Sequence, residues 1–128
     1  MGDGTSIGKV RGLGSAQEGA HHWLVQRFTA IGNLVLMSWL LISFLMLDNF
    51  SYTTMSAWIV QPIPATAMIL LVTSLFWHAR LGLQVLIEDY VHDGGSKYAC
   101  LTALNIAAIG GGAFSIFSIA SLAFGGAA

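Results

Sequence analysis

In residues 77–92, WHARLGLQVLIEDYVH, a histidine, an arginine and an Asp-Tyr pair are strung along a segment that is otherwise mostly apolar. The chain around them has five basic and six acidic residues in 128, is 55% hydrophobic and has a mean hydropathy of +0.73, so its natural solvent is lipid. The formal net charge of −1 leaves no basic surface to neutralise a row of phosphates, which argues against nucleic acid as a partner.

Working outward from that segment, the apolar runs on either side have the length of membrane spans. Phe28 to Leu47 is a stretch of 20 residues with no ionisable side chain, enough at ~1.5 Å rise per residue to cross a hydrocarbon core of ~30 Å. The pattern predicts an all-α membrane protein with three transmembrane helices, at about 23–47, 58–89 and 97–124, preceded by a polar N-terminal tail over 1–20. Residues 21–128 then form the three-helix unit. The second span is expected to start near Trp58, with Pro62 and Pro64 in its first turns, where a missing N–H does little harm. Trp23 and Trp58 flank apolar runs where an interfacial belt would be.

Lys9, Arg11 and Arg27 precede or open the first span and Lys97 lies in the second loop, whereas the first loop and the C-terminal tail have no lysine or arginine. The positive-inside rule then places the N terminus inside and the C terminus outside. In the third span Ala103, Ala107, Gly111 and Ser115 recur every four residues beside Gly110 and Gly112, predicting a flat ridge for close helix contact and assembly. Cys100 is the single cysteine; it forms no internal disulfide and is expected to be a small buried residue.

At about 100° per residue, His78, Gly82, Val85 and Asp89 share one stripe of the second helix, with Asp89 about 16 Å further along the axis. Asp89 and Tyr90 thus come to the inner interface while His78 stays in hydrocarbon, where an imidazole needs partners for its ring nitrogens. Three roles are open: a hydrogen bond to a neighbouring helix, ligation of haem iron, or a proton relay. Gly82, one turn away, makes room for either a flat macrocycle or another helix. His21, His22 and His92 lie at or beyond the interface, so a six-coordinate haem would need its second axial residue from another subunit. Arg27 opens the first span at a depth between His78 and Asp89, either snorkelling to headgroups or partnering a haem propionate or quinone oxygen. Arg80 points about 200° away from His78 and is expected to snorkel or to face another subunit.

The pattern H-x-x-x-G-L-x-x-V-L-x-x-D-Y, here His78, Gly82, Leu83, Val85, Leu86, Asp89 and Tyr90, resembles the D-type hydrophobic membrane anchor of succinate:quinone oxidoreductase, that is succinate dehydrogenase or respiratory complex II. HWLVQRFTAIGNLVL, from His22 to Leu36, is similar to the start of the first span in that family, with Arg27, Thr29 and Ala30 at its Arg and Thr-Ala positions. The resemblance implies an anchor paired with a second, C-type anchor beneath an iron–sulfur subunit and a flavoprotein. It implies haem b shared between the anchors, with His78 as an axial ligand; Arg27 and Gly82, from the reading of the helices above, are then expected beside the cofactor. It implies a ubiquinone site formed by Tyr90 and Asp89. No catalytic residue is expected, because the chain holds neither a dicarboxylate pocket nor flavin or iron–sulfur ligands. The bacterial cytoplasmic membrane is expected rather than the mitochondrial inner one, since no Arg-rich, Ser-rich presequence opens the chain. The competing reading is a structural membrane subunit of another respiratory complex without haem; a small transporter subunit fits less well, because neither a repeat nor a broken helix pair is legible.

Overall fold

The computed structural model describes the backbone of residues 13–125 and the side chains of residues 20–125. The first twelve residues of the expected tail, with Lys9 and Arg11, and residues 126–128 lie outside the described residues. Four helices follow in order: α1 (Leu13–Leu45), α2 (Tyr52–Ile59), α3 (Pro62–Tyr90) and α4 (Gly94–Gly125). Three segments, Ala20–Leu45, Pro62–Tyr90 and Gly94–Gly125, are long and apolar enough to cross a membrane. The protein is therefore an all-α membrane protein with three transmembrane helices, as expected.

Two boundaries differ from the expectation. Helix α1 begins at Leu13, inside the segment read as a polar tail. The second span does not begin near Trp58. Trp58 belongs to the separate short helix α2, and the chain breaks at Gln61, whose extended conformation (φ −68°, ψ 141°) precedes Pro62 at the start of α3. A residue before proline is pushed out of the helical region by the proline ring, so the helix restarts instead of continuing. Trp58 then stacks on Trp39 of α1, with ring centroids 5.8 Å apart, and meets the edge of Phe44 at 5.5 Å. This aromatic group closes one end of the bundle.

Helix α3 lies between α1 and α4; among the described residues the backbones of α1 and α4 do not approach each other. The result is a row of three antiparallel spans rather than a closed bundle. Its core is thin: Leu71 and Leu81 on α3 are buried, while Phe28, Leu34, Phe114 and Phe117 are about 70% exposed. In lipid such exposure costs little, because the surrounding tails are as apolar as the side chains. Hydroxyls on the spans are made harmless locally: Ser38, Thr66, Thr73 and Ser115 each bond the carbonyl four residues back, at 2.7–2.8 Å.

The expected small-residue ridge on α4 splits. Gly111 and Gly112 lie under Phe76 of α3, where a Cβ on Gly111 would stand 2.6 Å from the Phe76 ring, but Ala103 and Ala107 are exposed. A four-residue repeat advances about 40° per step around a straight helix, so Ala103 and Ser115 end about 120° apart and cannot share one contact face. Cys100 is exposed, not buried. Gly111→Leu is expected to cost about 1–3 kcal/mol by overpacking against Phe76, while Ala107→Leu leaves the chain's own packing near wild type. Thermal unfolding of the two solubilised variants checks this; equal melting temperatures would refute the split.

At the opposite end from the aromatic group, Lys97 Nζ donates to the Glu88 carbonyl at 3.0 Å, placing a cation at the C-terminal end of α3. The Asp93 carboxylate accepts the Ser96 N–H at 2.8 Å at the start of α4, and that backbone bond holds its carboxyl below the ordinary carboxylate range.

Candidate functional site

The site is built on the α1–α3 contact, where polar and small residues of the two antiparallel helices meet in sequence. Gly32 faces Ser74, Thr29 meets His78, and Gln26 faces Gly82. Ser74 Oγ also donates to the Thr29 carbonyl at 3.4 Å. Steps of four residues along α3 are matched by steps of three along α1, which is the spacing that keeps one face of each helix turned to the other.

His78 is half-buried, and its Nδ1 lies 3.0 Å from Thr29 Oγ1. The same oxygen lies 2.9 Å from the Val25 carbonyl and 3.0 Å from the Gln26 carbonyl. A hydroxyl has one proton, and a helical threonine can place it on a carbonyl of the preceding turn, here that of Val25 or Gln26. Thr29 Oγ1 then accepts from Nδ1–H, which leaves the lone pair of His78 on Nε2. Among the described residues the buried side-chain atoms left without any partner are His22 Nε2 and Asn33 Oδ1, both on α1; His78 Nε2 is not one of them. The imidazole is thus oriented from one side and chemically open on the other.

Gly82 takes the Gln26 side chain beside it, a Cβ there coming 3.7 Å from Gln26 Nε2. Of the two uses of that space left open by the sequence, the neighbouring helix occupies it within this chain. Arg27 is exposed and lies over the Trp23 ring, 4.1 Å from its centroid, so it is not brought to His78 inside the chain. Asp89 and Tyr90 close α3, and Tyr90 is 77% exposed. Val85 and Asp89 are likewise exposed, so the stripe that begins at His78 is covered by α1 only over its first turn. Among the described residues no group of three or more His, Cys, Asp or Glu side chains converges on a point.

Thr29 is the residue that the helical wheel of α3 alone misses. Its signal lies in the pairing of two helices: once Gly82 is set against Gln26, antiparallel packing puts Thr29 at the level of His78. Arg80 also has a partner within the chain, since its Nε donates to Asn105 Oδ1 of α4 and its guanidinium lies 5.4 Å from the Trp77 ring centroid.

Residues 1–112 match the family of succinate dehydrogenase/fumarate reductase transmembrane subunits. The chain belongs to that family. It is 37% identical over 104 residues to the succinate dehydrogenase hydrophobic membrane anchor subunit of Rickettsia bellii, covering 80% of this chain and 82% of that one. It is 36% identical over 86 residues to the protein of the same name from Rickettsia conorii, covering 66% and 68% of the two chains. The succinate dehydrogenase membrane anchor subunit of Reclinomonas americana is 29% identical over 96 residues, 73% of this chain and 80% of that one. No solved structure matches. The family match covers α1 to α3 and the first part of α4, so it contains the whole α1–α3 contact and the Asp89-Tyr90 end.

Proposed function

We propose that this chain is the D-type membrane anchor of a succinate:quinone oxidoreductase, with one axial ligand of a shared haem b and part of a ubiquinone site on α3. His78 Nε2 is the iron ligand, and Tyr90 with Asp89 is the chain's share of the quinone site. The observation that carries this reading is the 3.0 Å contact between His78 Nδ1 and Thr29 Oγ1, with the hydroxyl also bonded to its own helix. A histidine held at Nδ1 by an outer partner, with Nε2 open, is the arrangement metal-ligating imidazoles need. The open row of spans supports it further: His78 would be this chain's share of the iron ligands, and the exposed faces of the row leave room for the second anchor to pack on this chain.

When bound, haem b supplies a one-electron redox centre inside the membrane. The protein's own work lies at the Tyr90 end. A quinone takes two electrons and two protons to become quinol, so its carbonyl oxygens need donors close to water. The Tyr90 O–H donates to one carbonyl without burying a charge, and the Asp89 carboxylate beside it accepts from water or a basic group and passes protons on. Exposure of both residues leaves room for the iron–sulfur subunit and the second anchor to complete the pocket. Lys9, Arg11, Arg27 and Lys97, against no lysine or arginine in the first loop or the C-terminal tail, support an orientation with the Tyr90–Lys97 end and the N terminus inside, and the membrane of this reading is the bacterial cytoplasmic one.

The test is a dithionite-reduced minus oxidised spectrum of the purified complex, in which a b-type α-band is expected. Its absence would leave the alternative, a structural subunit without haem, standing. Thr29→Val removes the acceptor for Nδ1–H while keeping the side-chain shape. It is expected to weaken haem retention about 10–100-fold, with Thr29→Ser restoring it, as measured by haem per complex after dilution. Unchanged retention in Thr29→Val would remove Thr29 from the site.

A further inference from the structure

On the far side of α3 from His78 an apolar groove of about 440 Å³ runs between α3 and α4. Phe76 and Trp77 form one wall and Ala108, Gly112 and Ile116 the other. Arg80 and Asn105 close it at the end nearer Tyr90 and Lys97, and from Asn105 to Ile116 it extends about 16 Å along the α4 axis. That is about the depth of one leaflet, half of a hydrocarbon core of ~30 Å. Helix α3 has 29 residues and is about 43 Å long, so about 13 Å of it lies outside the core. Glu88, Asp89, His92, Asp93 and Lys97 gather at its C-terminal end, which places the surplus there and Arg80, about 15 Å from Tyr90, at the core boundary.

The guanidinium at that level bonds a neutral amide, Asn105, and leans on Trp77. The nearest acidic residues along α3, Glu88 and Asp89, are two turns further toward water. A cation at the polar end of an apolar shaft one leaflet long is complementary to an amphiphile with an anionic head and a single straight tail. We propose that this groove binds an anionic phospholipid, with its phosphate on Arg80 and one acyl chain between Phe76, Trp77 and Ile116. The planar guanidinium has donors left over after the Asn105 bond and pairs with phosphate oxygens, while Trp77 lies along the upper part of the chain. The lipid fills the furrow between α3 and α4 beside the contact of Phe76 with Gly111 and Gly112.

The proposal is tested on the intact complex, purified from bilayers of phosphatidylcholine with and without phosphatidylglycerol, by counting lipids retained per complex in native mass spectrometry. Wild type is expected to retain phosphatidylglycerol in preference to phosphatidylcholine. Arg80→Gln should lower that retention about tenfold or more, and Arg80→Lys should keep most of it. Ala113→Trp, an exposed groove position whose change leaves the bundle's own packing alone, should abolish it by filling the shaft. Equal phosphatidylglycerol retention by wild type and Arg80→Gln overturns the proposal. So does an Ala113→Trp complex that sheds its second anchor while its lipid count stays at the wild-type value, since the groove would then hold a protein helix.

Discussion

Tyr90→Phe is expected to lower succinate-to-ubiquinone electron transfer by about 10²-fold or more, because it removes the one neutral donor that the end of α3 offers to a quinone carbonyl. The hydroxyl contributes nothing to the fold that Phe would lose, since Tyr90 is the last residue of α3, is 77% exposed and its side chain has no hydrogen bond within the described residues. Haem content and succinate oxidation by soluble dyes should therefore remain near wild type. Measuring all three on one preparation separates a lost quinone donor from a damaged complex. Quinone reduction at the wild-type rate would return Asp89 and Tyr90 to the role of interfacial anchors.

His78→Ala is expected to remove the b-type α-band while leaving the three spans packed. The Thr29 hydroxyl already bonds the Val25 and Gln26 carbonyls, so losing the imidazole leaves no buried donor stranded on α1. Ser74 and Gly32, one turn away, and Gln26 against Gly82 still hold α1 to α3. The loss should therefore appear in the spectrum before it appears in the copurification of partner subunits. A haem band of wild-type intensity in His78→Ala would assign the iron to other residues and return His78 to a helix–helix hydrogen bond.

Tyr90 and His78 differ in how far each is written in the sequence. Tyr90 is legible there, because an Asp-Tyr pair after a long apolar run marks where a span reaches water. His78 is legible as a histidine in lipid that needs partners, but which nitrogen is free is not. That depends on Thr29, 49 residues earlier in the chain, and on a register between α1 and α3 that no single helical wheel contains. Arg80 shows the same limit. Its direction away from His78 follows from helical geometry, yet its partner Asn105 lies 25 residues away on α4.

Three spans, their approximate places and the gathering of charge at one end were set by composition and local pattern alone, since a run of 20 residues without an ionisable side chain has no soluble alternative of comparable stability. The break at Gln61 escaped because prolines in a first turn suit both a continued helix and a new one; in the fold the ring of Pro62 holds Gln61 extended, and Trp58 on the separate helix packs on Trp39 and Phe44. The use of the small residues on α4 was likewise decided in three dimensions. The ring of Phe76 selects Gly111 and Gly112 and leaves Ala103 and Ala107 exposed, because a helix turns 3.6 residues at a time and a repeat of four drifts off any single face. Burial in lipid is a property of each segment and is written locally; which side chains meet is a property of helix register, which exists only once the spans are packed.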